Sequence, residues 1–171
     1  MFLGKDIIGT PVITVSDGRA IGKVRDIYLT PDCRSVAGIY LGTEGLFSRQ
    51  SFLVKSADVV TIGQDAILVK HADVVYEEQD LAETEEFWLR RDELQGRPVD
   101  TPGGTKVGKV GDVIINHEGE IRGFSLSTVY VAGPIAENNA IARHTIQDVG
   151  QEDGSMTVDL EQAEQQELSL A

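Results

Sequence analysis

The chain has 171 residues, 41% of them hydrophobic and 25% charged, which suits one globular domain or two small ones. Its formal net charge of -13 is the wrong sign for a surface that neutralises phosphates, which argues against nucleic acid as a partner. No apolar run approaches the roughly 18 residues of a membrane span, and the start "MFLGKDIIG" lacks the order of a signal peptide, so a cytoplasmic protein without a membrane span is expected.

In chain order, the first runs read as short strands: "PVITV", then "IGKVRDIYL", then "SVAGIYL". Val, Ile, Tyr and Thr dominate them, and the turns "SDGRA" and "TPDC" separate them. The second turn holds Cys33, the only cysteine, so no disulfide forms within the chain, and an incidental thiol in a reducing compartment is the simpler reading. Next comes "GTEGLFSRQSFLV", Gly42 to Val54, which reads as an unusually long loop. It is either a connection that covers a barrel end or a protein-binding surface built on Phe47, Arg49 and Phe52, residue types enriched at interfaces. Residues 77–88 are expected to form an acidic helical linker, with Asp80 and Glu83 capping it and Leu81 and Trp88 on one face. Trp88 then packs on a barrel or contacts a partner.

After the linker the opening phrases return. Gly9 matches Gly96, Val12 matches Val99, Gly22-Lys23-Val24 matches Gly108-Lys109-Val110, Asp26 matches Asp112 and Gly38 matches Gly123. The repeat predicts two β-rich copies, residues 1–76 and 89–171, the second ending in a short acidic tail. Charge divides unevenly: residues 1–75 hold eight acidic and eight basic residues, and the remaining 96 hold 20 and seven. Gly22, Asp26, Gly108 and Asp112 are read as structural parts of the repeat. Strict alternation sets Val24, Asp26 and Tyr28 on one face and Ile27 and Leu29 on the other, so neither face is cleanly apolar. A bulge near the aspartate would shift the phase, and its carboxylate would accept backbone N–H bonds nearby.

The pattern "G-x-x-V…DG…IGKVxDIYL…V-x-G-I", found twice, resembles the PRC-barrel family over roughly residues 3–70 and 89–158. That family takes its name from the photosynthetic reaction centre H subunit and includes the C-terminal domain of the ribosome maturation factors. The resemblance implies an all-β fold with minor helix: two tandem small β-barrels acting as interaction modules, with no shared catalytic residues.

Among the residues themselves, His71, His117 and His144 form no close-spaced ligand pair, and neither a G-x-S-x-G elbow nor a phosphate loop occurs. The expectation is a non-enzymatic adaptor with no cofactor and no metal, binding a protein partner, with homo-oligomers open. The alternatives are an accessory role in ribosome maturation or photosynthesis, implied by the resemblance, and an enzyme or small-molecule binder with its site between the barrels.

Overall fold

The computed structural model describes residues 1–45, 49–82, 85, 88–150 and 154–165. The first copy runs β1 (Phe2–Leu3), a 3-10 turn (Gly4–Ile7), β2 (Pro11–Thr14), β3 (Ala20–Lys23), β4 (Asp26–Leu29), β5 (Val36–Glu44), β6 (Gln50–Lys55), β7 (Val59–Ile62), β8 (Ile67–Val69) and β9 (Val75–Glu77). The second runs β10 (Leu89–Arg90), a 3-10 turn (Arg91–Leu94), β11 (Pro98–Asp100), β12 (Lys106–Ile115), β13 (Ile121–Val129), α1 (Pro134–Asn138), β14 (Ala140–Ala142), β15 (Ile146–Asp148), β16 (Met156–Val158) and α2 (Leu160–Gln165). Among the described residues the fold is mostly β with two short α-helices, as the strand-rich runs imply.

The repeat is visible in the pairing. In the first copy β2 lies between β3 and, in parallel, β8; in the second β11 lies between β12 and, in parallel, β16. Gly22–Leu29 spans β3 and β4, and its counterpart Gly108–Ile115 lies within the single long strand β12. Both then turn back antiparallel, onto β5 and β13 respectively.

The first strands are exchanged. Among the described residues β1 does not pair in its own copy; Phe2 and Leu3 pair with Ile115 and Ile114 of β12. β10 does the reverse, Leu89 and Arg90 pairing with Leu29 and Tyr28 of β4. Further contacts stitch the halves together: Val36 N–H donates to the Gly119 carbonyl, and Ile121 N–H to that of Arg34. A single hydrophobic cluster runs through both copies, with Val12, Ile27 and Ile39 beside Val99, Val113 and Phe124.

The mixed alternation around the repeated aspartate resolves as a phase shift. In the second copy the register slips at Lys109/Val110 and Val110/Asp112; in the first, the strand breaks between Lys23 and Asp26. Val24 therefore faces the core together with Ile27 and Leu29, and Val110 together with Val113 and Ile115. Tyr28 turns to the opposite face, onto Ala37 and Leu53. All four residues of both "DIYL" and "DVII" are buried.

Two segments take other forms than a plain sequence reading suggests. Gly42–Val54 is not mainly loop: β5 and β6 form a long hairpin through it, with Gly42 opposite Phe52 and Glu44 opposite Gln50. The register slip between Tyr40 and Gly42 is a bulge, and Gly42 accepts its positive φ of 98° without the cost a side chain would add. In the linker the helical turn is of 3-10 type, Glu78–Asp80, while Glu83 and Phe87 lie outside the described residues. Leu81 and Trp88 pack on the Tyr28–Ala37–Leu53 cluster, and this apolar anchor holds the linker down on the sheet.

Candidate functional site

Asp26 and Asp112, 86 residues apart in sequence, meet at the junction of the halves, because each lies on the strand that receives the other copy's first strand, Asp26 at the start of β4 and Asp112 inside β12. One buried arginine joins them. Arg91 Nε donates to Asp26 Oδ1 at 2.9 Å and Nη1 to Asp112 Oδ1 at 3.0 Å. Each aspartate Oδ1 also accepts the N–H of the next residue, Ile27 or Val113, at 2.8 Å. Asp112 Oδ2 takes a further N–H from Lys5 of the first copy. Burial works against the charge on Arg91, yet the Asp112 and Asp26 carboxylates outweigh it and hold the guanidinium above the ordinary arginine range. Three oxygens of the two carboxylates are thus taken up by protein donors. Chemically the junction is a closed ion-pair cluster.

A second arginine clasps the halves from the other side. Arg143 reaches across to the first copy's turn, donating from Nε and Nη2 to the Asp32 carbonyl at 3.0 and 2.6 Å and from Nε to that of Cys33 at 3.1 Å. Nη1 bonds the Ile146 carbonyl at 3.1 Å. Sequence reasoning passed over both arginines. Arg91 had one signal: the repeat aligns "GKDIIG" with "RDELQG", setting Gly4 against a charged side chain. Arg143 has no counterpart signal, since carbonyl partners leave no mark on a sequence.

Cys33 sits beneath this clasp, fully buried. Burial pushes its thiol up to about 11, partly offset by the Arg143 and Arg97 charges. The unfolded thiol ionises near 9, so the unfolded chain releases this proton first as pH rises. The stabilisation is whole below about pH 9 and is lost progressively between about 9 and 11, on the order of 2–3 kcal/mol. Urea unfolding of Cys33→Ala should show a flatter stability profile over that range than the parent. Parallel profiles would place the alkaline loss elsewhere.

The residues proposed for partner contact are spread over the first copy. Arg49 is exposed at the distal end of the β5–β6 hairpin and, with Ser51, Glu77 and Glu78, lines a groove of about 350 Å³. Phe52 is half-buried in a smaller depression with Ile21, Leu41 and Val75. Trp88 is on the other face of the sheet, its ring 6.0 Å from Tyr28, while Arg90 lies 3.8 Å over the Tyr40 ring. Phe47 lies outside the described residues. Arg49 and Phe52 therefore share one arm, whereas Trp88 belongs to a separate aromatic cluster.

Among the described residues, that arm has open edges. β4 pairs with β5 only from Val36 to Tyr40, and β9 pairs with β6 only from Phe52 to Val54. Beyond those points, among the described residues, Thr43 and Glu44 pair only with Ser51 and Gln50. Two barrels with exchanged leading strands, glycine-marked turns and a repeated buried aspartate make a specific pattern. The PRC-barrel domain matches residues 1–74 and again residues 89–160. The chain belongs to the PRC-barrel family. Its two PRC-barrel domains stand in tandem and account for most of its length. No curated protein matches the chain. Among the described residues, no helix is long and apolar enough to cross a membrane, and no cluster of three His, Cys, Asp or Glu is placed to hold a metal ion.

Proposed function

We propose that this PRC-barrel protein is a non-enzymatic adaptor that takes a protein partner on the β5–β6 arm. The observation that carries the reading is the pair of strand edges left open, among the described residues, at the arm's distal half. Unpaired edges invite another chain to add a strand, and main-chain bonds then supply affinity while neighbouring side chains supply selectivity. Exposed Arg49 and the adjoining groove provide such side chains. The family resemblance, which implies an interaction module, supports the same reading. The closed ion-pair cluster at the junction favours it over a site between the barrels, because those carboxylates are already engaged.

The test is affinity capture from native lysate with the parent chain and with Phe47→Ala/Arg49→Ala. Truncating an anchor typically costs roughly 2 kcal/mol of binding, about thirtyfold in affinity. The variant is expected to keep its melting temperature and lose the specific partners. Equal recovery of the same partners by a folded variant would reduce the arm to a lid on its own barrel.

A further inference from the structure

We infer that the two PRC-barrel domains are a dimer fused into one chain, and that the arginine at their junction dictates which half pairs with which. The reciprocal exchange of β1 and β10 is the pattern an isologous two-fold contact produces. Aligning Gly9 with Gly96 sets Leu3 against Arg90 and Gly4 against Arg91. Positions 4 and 91 are therefore the same position in the two copies, and the structure brings them face to face. A Cβ built on Gly4 would lie 2.6 Å from Arg91 Cδ, 2.9 Å from Val113 Cγ2 and 3.0 Å from Asp112 Oδ1. The junction has room for one arginine and only one.

This makes the surface selective. Two second copies paired with each other would bring two Arg91 side chains into space that holds one, with like charges adjoining. Two first copies would bury a pair of Asp26 carboxylates with no cation between them, which is costly without a partner. A first copy with a second copy supplies one guanidinium to two carboxylates, the arrangement observed. The surface of each domain thus fits the complementary domain and disfavours its own kind. The linker, 77–88, keeps that complement at high effective concentration within the same chain.

The test uses the full chain and urea unfolding of R91G, G4R and the double variant G4R/R91G. The double variant moves the guanidinium to the other side of the same junction. It is expected to recover more than half of the midpoint loss of R91G. A double variant as unstable as the two single losses combined would overturn the equivalence of positions 4 and 91. A milder series guards against variants that do not fold: Arg91→Gln alone, and with Asp26→Asn or Asp112→Asn. Removing either carboxylate should raise the midpoint of Arg91→Gln, because each relieves the same unpaired charge. If both Asn substitutions lower it further, the junction does not select by charge.

Discussion

Arg91→Ala is expected to destabilise the protein by about 3–5 kcal/mol, the range for removing one partner of a buried ion pair. The loss exceeds that of an ordinary surface pair because the side chain is only 10% exposed and its two partners 9% and 6%. Alanine leaves two carboxylates facing each other at the junction, with no donor on the vacated side. For a chain of this length the melting temperature should fall by roughly 10 °C. Trp88, the only tryptophan, belongs to the first half's outer cluster, whereas circular dichroism reports on strands of both halves. The two signals should shift together, since one apolar cluster joins the copies. A loss below 1 kcal/mol would mean that the cluster contributes no more than a surface ion pair. A shift in Trp88 fluorescence alone would mean that the halves unfold separately.

Gly108→Ala and Gly22→Ala, the same substitution at matching places in the repeat, are expected to act in opposite directions. At Gly108 an added Cβ falls well inside contact distance of the Thr128 carbonyl oxygen, with Leu126 Cδ1 at 3.4 Å. The obstacle is backbone, which moves only if β12 and β13 separate, and Gly108 is paired in register with Val129. Overpacking of this kind costs about 1–3 kcal/mol, and breaking the ladder locally brings the expected loss to roughly 3 kcal/mol. At Gly22 the nearest atom is Leu41 Cδ2 at 3.7 Å, an ordinary contact. Alanine fits there and restricts the unfolded chain, for an expected gain of about 0.4–1 kcal/mol. Chemical denaturation of the two variants decides the matter. A destabilised Gly22→Ala alongside a neutral Gly108→Ala would reverse the assigned packing.

These two glycines show how far the repeat can be read without coordinates. Sequence matching identifies Gly22 and Gly108 as equivalents, and the pairing pattern agrees, Gly22 opposite Val12 and Gly108 opposite Val99. It says nothing of the neighbour across the sheet, a side chain in one case and a carbonyl in the other, because that depends on how closely two strands approach. The candidate surface behaves likewise. Arg49 and Phe52 are legible as interface residue types, but the open edges of their arm follow from where β4 and β9 stop, and strand length against a partner has no local code. Trp88 looks equally suited to an interface; its position over Tyr28 and beside Ala37 depends on the linker's path across the sheet.

By itself the sequence determined the β-rich class, the duplication, the family and the phase break beside each aspartate. All four rest on local properties: β-branched runs, glycine turns, and an alternation that fails at the same place twice. Only the tertiary structure decided that the copies trade their first strands, because a two-residue strand is too short to carry a pairing preference of its own. It also decided that Asp26 and Asp112 share one arginine. That depends on Gly4 and Arg91 reaching the same point from opposite halves, and on a space that admits one side chain and excludes a second.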